Sequence, residues 1–99
     1  MTPVIYNDVL AAVSVLSAAP PERHAEMIVA LIREADQAEL YRRRYRSAHP
    51  VFGDGSLMGA AQRHAHRGSV SFECAAGLTA WIGVLEALRA RHETSKGAV

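Results

Sequence analysis

The sequence predicts an all-α fold: an antiparallel helical hairpin, then a loop, a short helix and a C-terminal amphipathic helix. Three observations point there. Apolar residues recur at steps of three and four through residues 9–16, 27–45 and 74–88. All four prolines lie at or before Pro50 and outside those stretches. The chain is rich in alanine, and its β-branched and aromatic content is too thin for a sheet protein.

The first helix is expected from about Asp8 to Ser17. Asn7 can cap it, and Asp8 then sits favourably in the first turn. Val9, Leu10, Val13 and Leu16 share one face. Ala18-Ala19-Pro20-Pro21 ends it, because neither proline can donate a backbone hydrogen bond. The second helix starts near Pro21, a good first helical residue, and reaches Arg46. Its apolar stripe is Met27, Ile28, Leu31, Ile32, Ala35, Ala38 and Tyr41 or Tyr45. Glu22 and Glu26 near its start and four arginines near its end complement the helix dipole. The short connection makes helices 1 and 2 a hairpin.

Residues 47–56 form the main break. His49-Pro50 requires an extended residue before the proline, and Gly53-Asp54-Gly55-Ser56 is turn chemistry. Residues 57–66 form a short helix capped by Asp54 or Ser56. The last helix is expected from Ser69 or Ser71 to His92. Cys74, Leu78, Trp81, Leu85 and Leu88 repeat at alternating steps of four and three, a narrow seam widened by Phe72, Ile82 and Val84. Gly77 and Gly83 suit close approach of a partner backbone. The seams either satisfy each other within one bundle or meet in an oligomer. Three regions follow: a hairpin for oligomerisation (1–46), a loop and short helix (47–68), and a partner-binding C-terminal segment (69–99).

Composition excludes several classes. Ninety-nine residues suffice for one domain with a modest core. The single cysteine, Cys74, cannot form an internal disulfide, which fits a reducing compartment. No apolar run approaches a membrane span. Residues 9–20 faintly resemble the core of a signal peptide, but no basic residue precedes Arg23, so a cytoplasmic chain is expected. His64 and His66 point apart on a helix, while His24, His49 and His92 lack partners at metal-ligand spacing. Surface histidines and no metal or other cofactor are therefore expected. No nucleophile motif surrounds the serines or Cys74, and Gly53-Asp54-Gly55 lacks the lysine of a phosphate-binding loop. The expectation is a protein that is not an enzyme.

Charge is lopsided. Residues 1–41 hold six acids and two arginines, while residues 42–99 hold nine basic residues and four acids. The densest cluster is Arg42, Arg43, Arg44 and Arg46, which can contact phosphates or can simply form a solvated helix end.

The run Ala19-Pro20-Pro21, residues 35–44 and His49-Pro50-Val51-Phe52-Gly53-Asp54-Gly55-Ser56-Leu57-Met58 resembles short alphaproteobacterial proteins encoded beside phage-type head genes. These are similar to the small terminase subunit of gene transfer agents. The likeness covers roughly residues 5–62, and its specific part is the stretch from His49 to Met58. It implies a DNA-packaging adaptor without catalytic chemistry. Such a protein would assemble as a homo-oligomer, a ring, through Val9, Val13, Leu16, Ile28, Leu31 and Ala35. It would contact double-stranded DNA weakly through Arg42, Arg43, Arg44 and Arg46. It would recruit the large terminase, the ATPase and nuclease, through Leu78, Trp81, Leu85, Leu88, Arg89 and Arg91. Small terminases usually begin with a helix-turn-helix domain. The hairpin here begins within about ten residues of Met1, so DNA contact without sequence preference is expected. The competing reading is a small helical regulator that binds a protein partner and no DNA.

Overall fold

Helix boundaries in this chain are decided by a few side chains that satisfy exposed backbone groups. The computed structural model describes residues 1–97, with side chains through residue 94. Helix α1 spans Tyr6–Ser17 and is preceded by Ile5 at the N-cap. The expected cap, Asn7, is exposed and lies within the helix. Capping comes instead from Asp8, whose Oδ2 accepts the Ile5 N–H at 2.9 Å. A carboxylate in the first turn also meets the positive end of the helix dipole. Asp8 Oδ1 accepts the N–H of Met58 at 2.9 Å, and the residue is only 3% exposed.

A single turn of 3-10 helix, Pro21–Arg23, leads into α2, His24–Tyr45. Arg46 closes α2 in the left-handed region, φ 55°, with its N–H on Arg42 O at 2.7 Å. Helix α3 spans Leu57–Gln62. Ser56 caps it, its Oγ accepting the Gly59 N–H at 2.9 Å. Asp54 holds Ser56 in turn, accepting its N–H at 3.0 Å and its hydroxyl at 2.6 Å. Both candidate caps therefore act, in series. The backbone between α2 and α3 lies close against α2. Gly55 has φ 97°, and a Cβ there would sit 3.0 Å from Glu39 Cα.

Helix α4 spans Ala75–Gly97, starting later than Ser69 or Ser71. The preceding residues are committed elsewhere. Gly68 donates its N–H to Ser14 O at 2.7 Å and accepts the Ser14 hydroxyl at 2.8 Å. A Cβ on Gly68 would lie 2.8 Å from the Ser17 carbonyl carbon, so only glycine allows this approach. Phe72 stacks on Trp81 at 4.8 Å. No strand occurs among the described residues, only an isolated bridge between His49 and Gly53.

The packing differs from a self-contained hairpin. Helices α3 and α4 each pack across both α1 and α2, and their own backbones do not approach each other closely among the described residues. Direct contact between α1 and α2 is the least extensive of these helix pairs. Alanines explain the arrangement: Ala12, Ala35, Ala60, Ala61 and Ala80 are all fully buried, and small side chains let helix backbones approach closely. Leu16, Ile28, Leu31 and Leu57 fill the remaining space, each stabilising by roughly 1.5–3 kcal/mol through burial. Residues of all four α-helices contribute to this one core.

Asp8→Ala leaves two helix-terminal N–H groups without their acceptor. It should cost about 3 kcal/mol, read as a lower urea midpoint at unchanged slope. Asp8→Asn, which keeps one acceptor oxygen, should cost less.

Candidate functional site

The four clustered arginines leave the end of α2 in different directions. All four are exposed. Arg42 Nη1 reaches back to Asp54 O at 3.4 Å, and Arg43 pairs with Glu39 at 2.8 Å. The Arg44 guanidinium lies 5.6 Å from the Tyr45 ring centre, the spacing of a cation–π contact. The structure brings a fifth arginine to this side. Arg63, at the end of α3, binds Glu34 at 2.6 Å and lies 5.5 Å from the Phe52 ring centre.

Between these cations runs a chain of rings that the sequence did not single out. Tyr45 meets Tyr41 at 4.5 Å, Tyr41 meets His49 at 4.9 Å, and His49 meets Phe52 at 4.7 Å. The His49 ring also organises the turn. Its Nδ1 accepts the N–H groups of Val51 and Phe52, both at 3.0 Å, which leaves the ring proton on Nε2. The aromatic residues sit four apart on α2 and three apart in the loop. That spacing was the available signal, but the joining of the two pairs depends on the turn at Arg46.

The residues expected to form an oligomer interface are placed otherwise. Val13, Leu16, Ile28, Leu31 and Ala35 are 0–1% exposed in the single chain, and Val9 packs against the same core. The first five are sealed inside the single chain, while Val9 is partly exposed. The reason is that α3 and α4 cover the stripe that a hairpin alone would leave open.

The C-terminal seam is rotated from its expected position. The buried face of α4 is Gly77, Ala80, Trp81 and Val84, with Ala87 and Leu88 partly buried. Cys74, Leu78 and Leu85 from the expected seam are exposed, as are Phe72 and Ile82. Of the six expected partner-binding residues, Trp81, Leu88 and Arg91 bind α4 to the bundle. Leu78, Leu85 and Arg89 face outward. Ile82, 54% exposed, extends that outer apolar strip.

A charged cluster fixes the N-terminal segment and α4 to α2. The Met1 amino group lies 2.6 Å from Asp36 Oδ1 and also pairs with Glu39, while Arg91 reaches Asp36 at 2.6 Å. Burial alone would raise the Asp36 carboxyl, but hydrogen bonds and charge from Met1 and Arg91 outweigh it and hold it below its ordinary value. The hydrogen bond from Met1 lowers Glu39, and those from Ser56 lower Asp54. Desolvation, with the neighbouring Arg63, lowers His64.

The histidines are not all surface residues. His24 is 5% exposed, and its Nε2 lies 3.0 Å from Ala19 O. Among the described residues no group of three His, Cys, Asp or Glu side chains could hold a metal ion. No helix of the described residues is long and apolar enough to cross a membrane.

These features define a small all-α domain with two unlike exposed surfaces, one basic and aromatic, the other apolar. The chain belongs to the family described as a domain of unknown function (DUF7742), whose profile matches residues 2–88. That span takes in every core residue, α4 included as far as Leu88. No curated protein and no solved structure matches the chain.

Removing residues 69–99 should unfold the remainder, read as loss of helical circular dichroism, because Ala80, Trp81 and Val84 leave the core with it. Trp81→Ala should cost about 3–5 kcal/mol. The lowered carboxyls give a signed pH dependence. Groups with depressed folded-state pKa stabilise above the ordinary carboxylate range, and that stability is lost as pH falls through and below it. The melting temperature should therefore drop on acidification from about pH 5 to about pH 3. Arg91→Ala should make that drop shallower.

Proposed function

We propose that the chain is a non-enzymatic cytoplasmic adaptor of the small-terminase kind. It assembles with copies of itself, contacts double-stranded DNA weakly and without sequence preference, and recruits a large terminase motor. The observation that supports this reading is the separation of two surfaces of different chemistry. Arginines and aromatic rings surround the turn between α2 and α3, while Leu78, Ile82 and Leu85 lie on the outer side of α4. The resemblance of the His49–Met58 stretch to gene-transfer-agent small terminases supplies the biological setting.

On this reading the basic turn meets phosphates. Arg43 and Arg63 already hold carboxylates of the same chain, which leaves Arg42, Arg44 and Arg46 as the cations for DNA. Two or three phosphate contacts give weak binding that salt readily abolishes. The outer strip of α4 serves the protein contacts, in place of the buried hairpin stripe. The pairing of Arg43 and Arg63 with glutamates also favours a second reading, a protein-binding regulator that makes no DNA contact.

Fluorescence anisotropy with random duplex DNA across a salt series separates the two. Log affinity against log salt should have a slope of about −2 to −3, at about −0.9 per phosphate. Arg42→Ala with Arg46→Ala should flatten it, while Arg43→Ala should change it less. No binding at low salt, or strong preference for one short sequence, would overturn the DNA reading. Light scattering at micromolar concentration should give a mass above that of one chain. Leu78→Asp with Leu85→Asp should reduce it to a monomer that keeps its helical content.

A further inference from the structure

Four rings run across the turn between α2 and α3, and they are not equally open. Tyr41, His49 and Phe52 are each partly buried. His49 lies nearly parallel to Phe52, at 13°, and Arg63 sits over the Phe52 ring while it holds Glu34. Tyr45 ends the run and is 57% exposed. Tyr41 braces it at 4.5 Å, with the two ring planes 45° apart. The Arg44 guanidinium, 5.6 Å from the Tyr45 ring centre, is itself on an exposed residue and leaves more than half of Tyr45 open.

Cations surround this one ring. Tyr45 is the last residue of α2, with Arg44 and Arg46 as its chain neighbours and Arg42 one turn earlier. Arg46 takes the left-handed conformation that ends the helix, so no further helical turn shields the ring. The other two exposed rings differ. Tyr6 and Phe72 pack toward Trp81, and neither lies in a cation–π contact among the described residues. An open ring beside several cations is the pairing that holds single-stranded nucleic acid, in which bases stack on the ring and phosphates meet the cations. Duplex DNA offers its phosphates but keeps its base faces stacked on one another, so the ring adds little to a duplex contact.

We propose that the end of α2 holds unpaired nucleotides in preference to duplex, with one base stacked on Tyr45 and its flanking phosphates on Arg44 and Arg46. This preference rests on the reading that the basic turn meets nucleic acid, and adds to it the form of nucleic acid that the turn favours. Charge alone gives the opposite order. A duplex carries its phosphates more densely than a single strand, so a site built only of arginines holds duplex more tightly. An open ring reverses that order without reading sequence, because every base has a face to stack.

Fluorescence anisotropy of the whole chain with three labelled ligands of equal length tests the preference: a thymidine oligonucleotide, a GC-rich duplex, and an abasic strand that keeps every phosphate. At low salt the thymidine strand should bind about tenfold more tightly than either of the others, near the lower end of what one stacked base contributes. Tyr45→Ala should weaken thymidine binding by about the same factor, to the level of the abasic strand, and leave duplex affinity unchanged. Tyr45→Phe, which keeps the ring, should bind like the original chain. The abasic comparison needs no variant, so it carries the test even if Tyr45→Ala loses helical circular dichroism. Duplex or abasic strand bound as tightly as the thymidine strand would overturn the preference and leave the DNA reading standing. So would full thymidine binding by a folded Tyr45→Ala chain. Binding of none of the three at low salt would overturn the DNA reading itself, and the preference with it.

Discussion

One buried carboxylate joins the start of α1 to the start of α3. Asp8 accepts from Ile5 at the start of α1 and from Met58 in the first turn of α3, fifty residues on. Two helix N-termini thus share one anion. A charge only 3% exposed is expensive to bury unless it is hydrogen-bonded, and these contacts supply that condition. Asp8 therefore sets the distance and angle at which α3 meets α1, and everything that depends on α3 follows from it.

What depends on α3 is the basic turn. Ser56 caps α3, Asp54 holds Ser56, and Gly55 brings the backbone against Glu39 of α2. His49 then collects two backbone N–H groups, meets Tyr41 edge-on and stacks on Phe52. Arg63, carried at the end of α3, closes the run by lying over Phe52 while holding Glu34. Each step is short-range, yet together they bring the end of α2 and the end of α3 to one surface.

Much of this was legible in the sequence where the signal is local. The all-α class, the break at Ala18–Pro21, the end of α2 near Arg46 and the Asp54–Ser56 cap all follow from propensity, proline geometry and capping chemistry. What was not legible depends on tertiary packing. Asn7 and Asp8 are both good first-turn residues, and only the position of Met58 makes Asp8 the acceptor that matters. The spacing of large apolar residues along α4 does not show which of them the core takes. The core face is instead built on Gly77, Ala80 and Val84 around Trp81, while Leu78, Ile82 and Leu85 face outward. His24 looked like one of several surface histidines, since nothing local shows that α4 will cover it.

The rotation of α4 changes where interactions with other molecules can occur. A hairpin alone would expose its apolar stripe and would need a second copy to cover it. Here α3 and α4 supply that cover from within the chain, at the cost of leaving three large apolar residues on the outside of α4. Exposed apolar residues spaced one helical turn apart are a poor use of burial energy in an isolated domain. Their position on the helix, opposite the alanine-lined face that grips α1 and α2, keeps them free of the fold's own requirements. The residues that stabilise this chain and the residues available for partners therefore lie on opposite faces of one helix, so changes to one set need not disturb the other.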